Sequence, residues 1–143
     1  MSIFINILLL MLLLHVIDDF VLQPTCLSKL KQKKTWDEYC EGKSNYIKNL
    51  YKNDYKAAIV VHALSWSIMI MLPWIFLYGE KIGITILSAV IINTIIHGFI
   101  DNEKANKERI NLWQDQLVHF FQILLTWVIC IDSITVYNQH NIL

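Results

Sequence analysis

Three pairs of residues repeat one spacing: His15 and Asp19, His97 and Asp101, Asp115 and His119. Residues four apart lie about one helical turn apart, so each pair projects from a single face of its helix. His62 completes a set of four imidazoles and three carboxylates. Such side chains on facing helices make sites for zinc, iron or manganese, and helix bundles build metal sites in their interiors. With neutral imidazoles the set carries three negative charges, so one or two divalent transition-metal ions would offset most of the burial penalty. Polar groups extend the same faces: Gln23 beyond Asp19, Asn93 and Lys104 around the His97 pair, Gln122 and Thr126 beyond His119. Of these, Gln23, Asn93 or Gln122, or else Asp18, would orient ligands from behind.

The elements that carry these residues are set by hydropathy. Hydrophobic residues make up 55% of the 143-residue chain and charged residues only 17%, too apolar a balance for an ordinary soluble domain of this length. The length fits one domain spanning residues 1–143. Four apolar runs, at 2–22, 57–78, 82–100 and 112–137, each have at least 19 residues, about what an α-helix needs to cross a bilayer. They must be helical, because lipid offers backbone groups no hydrogen-bond partners. The expected fold class is therefore all-α, a polytopic membrane protein built as a bundle of four transmembrane helices. Pro24 should stop the first helix near Gln23, and Pro73 should kink the second. The first run lacks the basic start and small-residue cleavage site of a secretory signal. A net charge of zero argues against a nucleic-acid partner. Three scattered cysteines argue against both a disulfide framework and a thiolate zinc site.

Orientation follows from the basic residues. Eleven of the twelve fall in loops 23–56 and 101–111, the exception being Lys81, and a four-helix topology puts both loops on one side. The positive-inside rule makes that side cytoplasmic, with both termini outside a bacterial inner (cell) membrane. In the first loop, Thr35-Trp36-Asp37-Glu38 reads as a capping box opening a short helix that Gly42 ends. Ile47, Leu50, Tyr51 and Tyr55 then recur at helical spacing beside Lys48, Lys52 and Lys56. That pattern predicts an amphipathic interfacial helix on the inner leaflet, the alternative being a solvated loop with tyrosines in the interfacial belt.

This topology puts all three pairs and His62 at one level, near the cytoplasmic ends of four segments. An ionisable residue at a transmembrane helix centre costs about 2.5–3.5 kcal/mol on the insertion scale, less near the interface. Four helices carrying such residues at one depth call for a common reason. Besides metal binding, the alternatives are ordinary polar residues hydrogen-bonding at helix ends and a metal-free proton path. Asp132 reads as a solvated interfacial carboxylate, and Trp66, Trp74, Trp113 and Trp127 as packing or lipid-facing aromatics. Lys104 reads as a solvated loop lysine, or one that reaches back to bind an anionic substrate.

The order His15-x-x-x-Asp19-Phe20-x-x-Gln23, His62, His97-x-x-x-Asp101-x-x-Lys104, Asp115-Gln116-x-x-His119 covers nearly the whole chain. It resembles the small bacterial and phage integral-membrane proteins catalogued as domain of unknown function 3307. The resemblance implies a multi-pass membrane protein and names no reaction. Relatives often carry a second histidine four residues after the one in helix two. Here that position is Trp66, so a ligand set including it would be one short. The pattern is more distantly similar to membrane-bound metal-dependent hydrolases, and poorly similar to histidine-box desaturases.

The expected function is a metal-dependent hydrolase acting at the cytoplasmic interface on a membrane-associated substrate, a lipid or an amphiphilic phosphoester or amide. The ion would activate water, Asp18 or a loosely bound ligand would serve as general base, and Lys104 would stabilise developing negative charge. The alternatives are a metal-ion or proton transporter and a non-catalytic metal-stabilised module. A homo-oligomer is left open. Topology is directly testable: Cys26 and Cys40 should resist an impermeant thiol reagent in intact cells and react after permeabilisation, and labelling from outside would invert the orientation.

Overall fold

The computed structural model describes residues 2–23 and 25–141, and among them every regular element is helical. The elements are α1 (Ile3–Leu22), α2 (Thr25–Leu30), α3 (Lys33–Tyr39), α4 (Asn45–Tyr51), α5 (Asp54–Ala105) and α6 (Leu112–His140). Three segments are long and apolar enough to cross a membrane: α1, the stretch containing α5, and α6. Large apolar side chains such as Phe76, Ile84, Ile95 and Leu125 point outward along them. That surface is compatible with a surrounding of hydrocarbon.

The two middle runs are not joined by a loop. Helical geometry continues from Asp54 to Ala105 with one interruption, Ile82 (φ −127°, ψ 32°). The chain doubles back there: Gly98 lies against Ile59 and Ala63, and the His97 ring lies against His62 and Trp66. The expected kink at Pro73 is not where the break falls, since the dihedrals stay helical through Pro73 and depart at Ile82, between Gly79 and Gly83. Proline removes one backbone donor and leaves φ helical, whereas the direction reverses where two glycines lower the backbone's resistance.

At the other end, α1 stops at Leu22 and Gln23 is extended (ψ 101°), as expected; Pro24 itself lies outside the described residues. The last turn of α1, Ile17–Leu22, is a π-helix closed by the Gln23 N–H donating to the Asp18 carbonyl at 3.0 Å. The helix of the first loop departs from expectation. It begins at Lys33 with Gln32 as its cap, so no Thr35–Glu38 capping box forms. A capping box does open α6, where Asn111 and Gln114 bond reciprocally. The stripe from Ile47 to Tyr55 is split between α4 and α5, and Tyr51 stacks on Trp36 of α3 at 5.7 Å. Tyr51 therefore packs within the loop. Cys40 is buried and Cys26 exposed, which makes Cys26 the better topology reporter.

The interior between α1, the two arms of α5 and α6 is apolar over half its length, with Ile7, Met11, Ile70, Trp74, Ile123 and Cys130 buried together. Between helices in lipid, close backbone approach supplies much of the attraction, so small residues mark the tight crossings. Gly98 is one: a Cβ there would sit 3.5 Å from Ile59 and 3.6 Å from Ala63. Gly98→Ala should be nearly neutral. Gly98→Leu should push the arms apart and destabilise the detergent-solubilised protein by about 1–3 kcal/mol, read from thermal unfolding.

Candidate metal centre

Above this apolar floor, α1, both arms of α5 and α6 all turn ionisable side chains inward. The π-turn lets two adjacent residues of α1 contribute. Asp18 accepts from Ser65 Oγ at 2.9 Å and lies 3.7 Å from His62 Nδ1, while Asp19 lies 3.4 Å from His62 Nε2. His97 stacks on Trp66 (ring centroids 4.3 Å apart) and on His119 (4.1 Å). Asp101, one turn beyond His97, lies 3.8 Å from its Nε2 and 3.7 Å from His62 Nε2. Asp115 lies 3.3 Å from His119 Nε2. All seven residues predicted as ligands thus meet in one cluster, together with Asp18.

They are not equivalent. His15 has both ring nitrogens engaged. Trp66 Nε1–H donates to its Nδ1 at 2.8 Å, which leaves the proton on Nε2, facing Gln116 Oε1 at 3.1 Å. The Gln116 amide passes the chain on to Asp19 (3.3 Å) and Asp115 (3.2 Å). By contrast, all four ring nitrogens of His97 and His119 are buried without a well-aligned hydrogen bond among the described residues, the nearest approach being Asp115 Oδ1 at 3.3 Å from His119 Nε2. Each such atom costs about 1–3 kcal/mol when left unsatisfied, so four together are a large debt for one small site. Carboxylate atoms Asp18 Oδ2, Asp19 Oδ1 and Asp115 Oδ1 share the condition.

Donor atoms of His97, Asp101 and His119 lie within 4.8 Å of one another, as do those of Asp19, His62 and His97. A tetrahedral ion with bonds of about 2.0–2.1 Å holds its ligand atoms about 3.3 Å apart, so small side-chain adjustments would close either trio on an ion.

Two lysines already neutralise part of the cluster. Lys104 reaches back from the α5 terminus to Asp115 Oδ2 at 2.5 Å. Lys31, only 7% exposed, donates to Asp101 Oδ2 at 2.7 Å. Nothing in the sequence separates Lys31 from Lys29, Lys33 and Lys34; it is singled out by Asn106, whose side chain bonds the Lys31 carbonyl and the Lys33 N–H and pins the α2–α3 junction to the end of α5. Gln116 could have been suspected from its place beside Asp115, Ser65 could not. Asn93 and Gln122, expected to orient ligands, bond each other and Thr126 instead and form a separate polar knot. Trp66 is buried as expected of a packing aromatic, and in addition fixes His15; Trp113 is 84% exposed.

A cavity of about 50 Å³ bordered by Asp19, His62, Asp101, Asp115 and both lysines opens on the carboxylate side of the cluster, with His97 and His119 behind it. Larger concavities, about 480 Å³ between α3 and α4 and about 520 Å³ beside Gly79–Thr85, contain no histidine. No protein-family model, curated protein or solved structure matches the chain.

The Lys31–Asp101 pair gives a direct test. Lys31→Met strands a buried carboxylate and should destabilise metal-free protein by about 3–5 kcal/mol, whereas Lys31→Met with Asp101→Asn should recover most of the loss. Urea or thermal unfolding of the two variants beside wild type reads the difference.

Proposed function

We propose that the chain is a membrane-embedded metal-dependent hydrolase, with one divalent ion bound at the cytoplasmic end of a four-span bundle. The carrying observation is the set of four buried ring nitrogens without a well-aligned hydrogen bond on His97 and His119, beside Asp101. In this reading His97, Asp101 and His119 would hold the ion, as zinc, iron or manganese, three protein ligands being the number found at catalytic rather than closed structural zinc sites. Charge supports a single ion. Asp18, Asp19, Asp101 and Asp115 face Lys31 and Lys104, a residual of two negative charges that one divalent cation offsets.

When bound, the ion supplies Lewis acidity and an acidified water. The chain's own residues do the rest. Asp19, with Oδ1 unpartnered at the cavity wall, is placed to take a proton. Asp18, bonded to Ser65 and 3.7 Å from the ring nitrogen of His62 opposite Asp19, does not border the cavity, so the general-base role moves from Asp18 to Asp19. His15, held by Trp66 and Gln116, positions Asp19 and Asp115. Lys104, at the rim, remains the residue to stabilise negative charge on a substrate. The doubled-back α5 supplies two spans, which with α1 and α6 makes four and returns both lysine-rich loops to one side. The motif order is read as that of domain of unknown function 3307.

Transport is the weaker reading. A conduction path needs polar groups along its length. Here Asn93, Gln122 and Thr126 are tied to each other, and the core beyond them is Ile70, Trp74, Ile86, Cys130 and Ile134.

Protein purified without chelator should carry one transition-metal ion per chain by elemental analysis. His97→Ala and Asp101→Ala should each weaken metal binding by about 100-fold or more and lose the stabilisation that metal confers. Asp19→Asn should keep the metal. A wild type that is metal-free and gains no thermal stability from zinc, iron or manganese sinks the proposal. Metal flux into liposomes that disappears in His119→Ala replaces it with the transporter.

A further inference from the structure

Beside the small central cavity lies a second one of about 310 Å³, roofed by the α2 end and bordered by Gln23, Ser28, Lys31, Gln32, Lys104 and Glu108. Asp101, Gln23, Lys31 and Lys104 border both, so the outer cavity is the vestibule of the inner. Its two ammonium groups come from elements far apart in sequence and converge on one space. Gln23, with its amide oxygen turned to Lys31 Nζ at 2.7 Å, holds that lysine at the boundary.

Of the atoms these lysines now contact, one belongs to a ligand in the proposal above and the other to the neighbour of a ligand. Lys31 Nζ sits on Asp101 Oδ2, and Lys104 Nζ sits on Asp115 Oδ2, beside His119. An ammonium and a divalent cation compete for the same carboxylate. Once an ion draws on Asp101, and through His119 on the neighbourhood of Asp115, both ammoniums lose part of their attraction inward. The space left to them is the vestibule, where the other bordering charge besides Asp101 is Glu108. Two cations with a hydroxyl and two amides match a tetrahedral oxyanion with several acceptor oxygens better than a neutral amide or ester, which brings no charge to pair with the ammoniums.

Resting on the metal reading, we propose that this vestibule is a phosphate subsite switched on by the ion. Lys31 and Lys104 bind the phosphate of a phosphoester substrate after the ion has taken Asp101 and weakened the inward pull on both ammoniums. The substrate class is thereby narrowed to phosphoesters, and binding is ordered, ion first and phosphate second. The phosphate can belong to a soluble ester or to a lipid headgroup.

Calorimetric titration of full-length protein in detergent tests this, with phenyl phosphate as the soluble probe and phosphatidate in nanodiscs as the lipid probe. Each is added to chelator-treated protein and to protein loaded with zinc or manganese and desalted. The expected result is at least about tenfold tighter binding of one probe to the loaded protein. Whichever probe tightens names the source. Lys104→Gln and Lys31→Gln in the loaded state should each lose about tenfold in phosphate affinity at unchanged metal content. Loaded protein that binds neither probe overturns the subsite and leaves the metal reading standing. Equal binding with and without metal overturns the ion's switching role. Unchanged phosphate affinity in Lys104→Gln overturns the role of the lysines. Protein that takes up no metal removes the metal reading and this inference together.

Discussion

Charge buried among helices has to be balanced where it stands, because no solvent can be recruited to do it, and the polar end of this bundle is organised around that requirement. Four carboxylates enter from α1, α5 and α6. Each meets a compensating partner brought from elsewhere: Ser65 and His62 for Asp18, Gln116 for Asp19, Lys31 for Asp101, Lys104 for Asp115. The pairing fixes positions that hydropathy leaves free. A lysine-bearing loop is drawn under the bundle, and the end of α5 is held to it through Asn106. What the pairing does not reach is the His97–His119 stack, where donors and acceptors remain without well-aligned partners. The proposed ion supplies that missing balance, which is why affinity for metal and stability of the fold are read as one quantity.

The apolar half supplies rigidity without specificity. Trp66 spans the boundary between the halves. Its ring face supports His97 and its indole N–H fixes the tautomer of His15. The resemblance left this position one imidazole short of a ligand set. The geometry gives tryptophan a different task there, as a wall and a hydrogen-bond donor.

Much of this was legible in the chain. Long apolar runs need no tertiary information to declare themselves, and the i, i+4 pairs mark faces whatever lies opposite. The starts of α1 and α6 fall within a residue of the expected positions for that reason. The cluster could be anticipated because a shared depth is a consequence of topology alone. Lys31 could not, since its burial depends on where Asn106 and Asp101 lie, seventy or more residues away. The same holds for the fate of Asn93 and Gln122: polarity at helical spacing says which face a side chain is on, and not whether its partner is a histidine or another amide. The capping box at Thr35 failed because local motifs compete with packing, and α3 starts earlier, with Trp36 reaching back to the Leu30 carbonyl.

The π-turn at Ile17–Leu22 has a consequence for how this wall can vary. A wide turn holds one residue more than the α-helical turn it replaces, at some loss of backbone quality. Here the surplus residue is what allows neighbouring aspartates to face inward on either side of one imidazole. Shortening the segment by a single residue would restore regular helix and swing one of the two outward, away from the cluster. Length in that turn is therefore under a constraint that substitution at any one position is not, and of the two sequences the shorter would make the better helix and the poorer site.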